Sequence, residues 1–114
     1  METLAVLALL EAHPGMEAQL EAFLTSALAM ANAERGTLAW YALKLDAFRF
    51  AIFDTFADRN GRDAHLSGAI ARALAEKADS LLARPPLIQQ AEVIAAKSPA
   101  DQHLQRMPSD DDRR

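Results

Sequence analysis

The stretch FAIFDTFADRNGRDAHLSG, residues 50–68, holds the two side chains best suited to chemistry, Asp54 and His65. An imidazole titrates near neutrality and suits proton transfer. A carboxylate beside it can accept a proton or orient the ring. On a short helix His65 shares a face with Leu66 and Ala69, so it leans toward a sheet. Each residue also has a structural use. A half-buried histidine can simply hydrogen-bond a helix or strand. A strand carboxylate needs a cation when buried, and Arg49, Arg72 or a cation of a partner chain could supply one. That ion pair is the expectation for Asp54.

Aromatic residues come next. Trp40 and Tyr41 are consecutive in an apolar run, so in a strand they point to opposite faces. Either could stack on an aromatic ligand and offer one donor, or simply pack. Phe23, Phe50, Phe53 and Phe56 are core or cavity wall, and periodicity does not separate the two.

Other patterns carry no chemistry. DRNGRD, from Asp58, lacks the carboxylates of a calcium loop, and Ala69 stands where its twelfth-position glutamate belongs. His13, His65 and His103 are dispersed, there is no HExxH and no cysteine, so no metal site is expected. Asn60-Gly61 is a hairpin signal, but no alternating strand follows it. The DDD run at residues 110–112 reads as solvated. The net charge is -4 with scattered basic residues, which argues against nucleic acid as a partner. The apolar N-terminal run stops at Glu11, too short to span a membrane and without a basic flank. A cytoplasmic location is expected.

The elements that must position these residues follow from periodicity. Residues 4–10 are continuously apolar, as in a strand covered on both faces. His13, Pro14 and Gly15 signal a turn. Met16, Leu20, Phe23, Leu24, Ala27 and Ala31 form one helical stripe over residues 16–34, with Gly36 as its C-cap. Residues 37–45 and 48–56 read as a hairpin. Phe48, Phe50, Ile52, Asp54 and Phe56 share one of its faces; Arg49, Ala51, Phe53 and Thr55 share the other. Asp58 caps a short helix to Leu66, a second runs over residues 69–83, and a last strand over 87–97. Residues 1–97 make one domain, and the polar tail 98–114 has little to bury.

The order β-α-β-β-α-β predicts an α+β, ferredoxin-like fold: a four-stranded antiparallel sheet with helices on one face. The second face is also apolar. Water would meet it as a large patch, which monomers rarely tolerate. A homodimer joined through this sheet face is therefore expected.

LLEAHPGMEAQLEAFL, ERGTLAWYALKL, FAIFDTFADRNGRDAHLSG and PPLIQQAEVIAAK, in this order, resemble the antibiotic biosynthesis monooxygenase family of dimeric ferredoxin-like α+β barrels. The family's Pro/Gly turn matches Pro14 and Gly15. Its EPGT matches Glu34, Arg35, Gly36 and Thr37, with arginine for proline. Its strand acid and following aromatic match Asp54 and Phe56, and its AH matches Ala64 and His65. Two departures stand out. Many relatives carry a second histidine where this chain has Ile70, and haem-degrading members carry an asparagine where it has Ala8. Both argue against haem degradation.

The resemblance implies a monooxygenase that acts on an electron-rich aromatic of quinol or anthrone type with no cofactor. His65 is the candidate catalytic group for such a reaction, with Trp40, Tyr41, Phe23, Phe53 and Asp54 the candidates about the substrate. The resemblance also admits two other readings: a non-catalytic small-molecule-binding or stress-response dimer, and a metabolite isomerase.

Overall fold

The computed structural model describes residues 1–97; the expected tail lies outside the described residues. The elements are β1 (Leu4–Glu11), α1 (Glu17–Ser26), α2 (Leu28–Ala33), β2 (Thr37–Lys44), β3 (Arg49–Phe56), α3 (Arg59–Leu66), α4 (Ala69–Leu81) and β4 (Leu87–Glu92). The four strands form one sheet in the order β2-β3-β1-β4, antiparallel throughout. This is the ferredoxin-like α+β arrangement expected from the element order. Turn chemistry at its corners is local. Gly15 takes a φ of 88°, a conformation open to glycine, directly after Pro14. In the β2–β3 turn, the Asp46 carboxylate accepts from the backbone N–H of Phe48 and Arg49 at 3.1 and 2.8 Å.

Three expectations about boundaries are corrected. The helix over residues 16–34 is two helices, broken at Ala27. Two hydroxyls bond back into α1 just before the break, Thr25 to the Glu21 carbonyl and Ser26 to the Phe23 carbonyl. Such bonds compete with the helical ladder and bend it, while the apolar stripe runs through unaltered. Gly36 does not cap α2, which ends at Glu34 with φ -88° and ψ 111°. The last strand stops at Glu92 because its partner, β1, begins at Leu4, opposite Glu92.

The helices cover the face bearing Ala8 and Leu10 of β1 and Phe50 and Ile52 of β3. Leu20, Phe23, Leu24, Leu74 and Leu81 close the core from above. Phe50 and Phe56 are fully enclosed, each worth about 1.5–3 kcal/mol relative to exposure. A smaller cluster of Ala27, Ala31 and Ile70 packs against Met30 and Trp40. The other sheet face is open. It presents Tyr41, Leu43 and Leu87 at 52, 43 and 54% exposure, with half-buried Leu7, Leu9 and Phe53. The Tyr41 and Phe53 rings stack there at 6.4 Å. Among the described residues no helix is long and apolar enough to cross a membrane.

β2 carries one irregularity. Thr37 pairs with Phe56 and Ala39 with Thr55, so Leu38 is an extra residue, a bulge. Next to it the chain closes on itself through two glycines. A Cβ on Gly36 would lie 2.6 Å from the Gly61 Cα, and one on Gly61 would lie 2.7 Å from the Gly36 carbonyl oxygen. The start of α3 thus rests backbone-to-backbone on the α2–β2 turn. Gly36→Ala must move backbone, and is expected to cost about 1–3 kcal/mol in urea unfolding. Unchanged stability would contradict this contact.

Candidate functional site

Asp54, expected to pair with Arg49, Arg72 or a cation of a partner chain, pairs with His65 within its own chain. The ring Nε2 lies 2.8 Å from Asp54 Oδ2, and the ring Nδ1 lies 2.7 Å from Glu34 Oε1. The arginines are engaged elsewhere: Arg49 with Asp46, and Arg72 donating to the Ser67 carbonyl. The two ring contacts differ in kind. Nδ1 and Glu34 are aligned for a hydrogen bond. Oδ2 sits off the line of the Nε2–H, so neither Asp54 oxygen has an aligned donor, and that side is held by charge. Asp54 is 1% exposed and His65 8%.

Each member comes from a different element. Asp54 is in β3, whose alternation places it on the helix-covered face with Phe50, Ile52 and Phe56. His65 sits in the last turn of α3, where the helix dipole favours a cation. Asp58 starts that helix by accepting from the Gly61 N–H at 3.0 Å. The Phe56 ring lies against the imidazole, centroids 5.3 Å apart. Glu34 ends α2, and its Oε1 also accepts from the Thr37 hydroxyl at 2.6 Å. Sequence reasoning misses Glu34 as a site residue; its one signal is its place in the ERGT motif.

The electrostatics follow. Burial pushes the His65 pKa down, but the two acids, Asp54 and then Glu34, push it up further, to about 8 against an ordinary 6.5. Near neutral pH the ring is a cation between two carboxylates. Those acids sit on opposite nitrogens of one ring, so the three groups do not converge as metal ligands would; among the described residues no cluster suited to a metal ion occurs.

His65 and Glu34 line a groove of about 340 Å³, within the size range of small-molecule sites. Its walls combine Met30 and Ala33 of α2, Ala64 of α3, Gly68 and Ala69 with the charged Arg35 and the polar Thr37. The other candidates lie elsewhere. Tyr41, Phe53 and Thr55 border a hollow of about 630 Å³ on the open sheet face. Trp40 packs under the helices, and its Nε1 is buried with no partner among the described residues. Phe23 is in the core. The structure joins Asp54 to His65, and Tyr41 to Phe53, but the two pairs are on opposite sides of the sheet. Ile70 and Ala8, at the two places where the chain departs from its resemblance, are core residues.

The raised His65 pKa has a definite sign. The folded state binds the proton more tightly than the unfolded chain. The added stability is therefore full below pH 6.5 and is lost as pH rises through about 8. The shift corresponds to about 2 kcal/mol. Urea unfolding at pH 6 and pH 9 should show the wild type losing that amount relative to His65→Gln. Parallel profiles for the two proteins would refute the buried imidazolium.

No family model matches the chain, and no curated protein does. Solved structures do. The NE2512 protein of unknown function from Nitrosomonas europaea superposes with a TM-score of 0.85 at 55% identity, over 87% of this chain and 96% of that one. PA3566 from Pseudomonas aeruginosa gives 0.72 at 23% identity, over 83 and 97%. A Caulobacter crescentus protein named "putative antibiotic biosynthesis monooxygenase" gives 0.71 at 18%, over 82 and 92%. The latter two show the fold alone. The chain belongs to the family of the Nitrosomonas europaea NE2512 protein, and its fold is the ferredoxin-like one shared with proteins named for antibiotic biosynthesis monooxygenases.

Proposed function

We propose that this protein is a small-molecule monooxygenase that works without a cofactor on an electron-rich aromatic of quinol or anthrone type. The observation that carries the reading is the imidazolium of His65, held between two carboxylates beside a groove of small residues. In such chemistry the substrate is its own reductant. Loss of a proton to solvent gives an anion that can pass an electron to O2; recombination, return of that proton and loss of water then complete the step. For an anthrone-type substrate the balance is one ring methylene and one O2 in, one ring ketone and one water out. The methylene carbon is oxidised, one oxygen atom stays on it, and the other leaves in the water with both methylene hydrogens. The imidazolium offsets one of the two carboxylate charges beside the groove, which eases formation of that anion. With its pKa raised to about 8, His65 acts as this cation rather than as the base.

The working unit in this proposal is a homodimer closed over the open sheet face. Tyr41, Leu43 and Leu87 support it, because together they leave an apolar surface that water solvates poorly. Sedimentation at micromolar concentration should give a dimer, and Leu43→Asp should shift it toward monomer. A wild type that sediments only as monomer would remove the dimer from the proposal.

A second reading has its own support. Both His65 nitrogens are already occupied by protein carboxylates, which suits a structural clamp in a non-catalytic small-molecule-binding or stress-response dimer. An isomerase would use the groove without O2. The deciding measurement is O2 consumption by metal-stripped protein with a panel of hydroquinones and anthrones. Turnover is expected, with a loss of at least about tenfold in His65→Ala, the low end for a positioned electrostatic group. No turnover across the panel would reject the oxygenase, and full activity in the variant would remove His65 from its mechanism. Product that forms equally under argon would point to isomerisation.

A further inference from the structure

Among the described residues the His65 ring makes one aligned hydrogen bond, from Nδ1 to Glu34 Oε1 at 2.7 Å. Its orientation and charge therefore depend on where that oxygen stands. Glu34 is not held there by its own element. It follows α2 in extended backbone, in the turn before β2. Its side chain is 18% exposed, and a glutamate gains rotamer freedom by turning to water. One other donor reaches Oε1, the Thr37 hydroxyl at 2.6 Å. Thr37 is anchored where Glu34 is not. It starts β2 and pairs with Phe56 across the sheet, and the Phe56 ring lies against the imidazole. The hydroxyl thus ties a turn carboxylate to the same sheet that carries Asp54 on the far side of the ring. Asp54 and Glu34 are the charged groups that act on His65. Of the charges on α3 and α4 nearest to it, Arg62 pairs with Asp63, and Arg72 donates to the Ser67 carbonyl.

We propose that Thr37 is a positioning residue for His65: its hydroxyl fixes the Glu34 carboxylate on Nδ1 and so keeps the ring in place as a cation. This rests on the reading of His65 as the cation beside the groove and names what sets that charge. Without the hydroxyl, Oε1 loses its tie to the sheet and the carboxylate turns toward water. Burial, which lowers the pKa of the ring, is then opposed by Asp54 alone.

Titration of the His65 ring by NMR tests this without a substrate. Wild type is expected to titrate near 8. Thr37→Val keeps the branched shape of the side chain and removes the hydroxyl; its midpoint should fall by about half a pH unit or more. Thr37→Ser loses the methyl group and keeps the hydroxyl, and should titrate close to wild type. A role in packing alone predicts the opposite order, since serine gives up more buried carbon than valine does. An unchanged or raised midpoint in Thr37→Val, or an equal fall in both variants, would overturn the inference. The wild type carries its own check. An Nδ1–H held by a fixed carboxylate should exchange slowly with water, and exchange as fast as that of free imidazole would overturn the inference even if Thr37→Val failed to fold. Oxygen consumption by the same proteins keeps the two readings apart. A midpoint that falls in Thr37→Val, in a protein that turns over no hydroquinone or anthrone, would uphold the role of Thr37 and reject the oxygenase alone.

Discussion

One buried imidazole between two carboxylates constrains much of this molecule. Asp54, His65 and Glu34 come from a strand, a helix and a helix end that share no local contact in sequence. Withdrawing such groups from water costs several kcal/mol for each ion, repaid only by close geometry. Here two negative groups share one positive one, so removing the ring would leave both acids stranded. Loss of a partner from a buried pair typically costs about 3–5 kcal/mol. The cluster is weak as a source of net stability and strong as a specification of how α3 and the α2–β2 turn sit on the sheet. Around it the backbone leaves little slack: Asp58 caps α3, Phe56 backs the ring, and two glycines bring α3 onto the turn.

The sheet separates two environments. On the helix side, interlocked side chains form the core, with hollows beside His65 and between α1 and α4. On the other side, aliphatic and aromatic residues meet solvent and enclose a shallow hollow. Strand alternation decides which side each residue serves. Trp40 and Tyr41, adjacent in the chain, therefore send their rings to opposite faces. The indole is absorbed into packing while the phenol stacks on Phe53 outside.

Most of the architecture is legible in the sequence. Apolar runs of strand length, a helical stripe and turn signals give the element order, and order gives the topology. The face assignment of β3 agrees residue by residue. What differs depends on side-chain hydrogen bonds or on contacts distant in sequence. Nothing in the spacing of Ala27 and Ala31 reveals that the helix breaks at Ala27, next to the back-bonded hydroxyls of Thr25 and Ser26. Gly36 resembles a cap because caps favour glycine; its actual neighbour, Gly61, is known only once the chain is folded. Asp54 invites a guanidinium because arginines are the commoner partners, whereas the structure gives it the histidine nearby in the chain. Glu34 is visible only as a letter in a motif, since no local pattern joins a helix end to a distant imidazole.

The bulge at Leu38 has a wider meaning. Were β2 regular, alternation would turn Thr37 toward the open face along with Ala39 and Tyr41. The one extra residue resets the phase, so Thr37 stands opposite Phe56 on the covered side and its hydroxyl reaches Glu34. The Glu34 cluster is thus written partly in chain length. Every residue that composes it could be retained while a single deletion in β2 dismantled it. In any relative of this chain, the spacing from the glutamate to the tryptophan's counterpart therefore carries as much information about the site as the identity of the residues themselves.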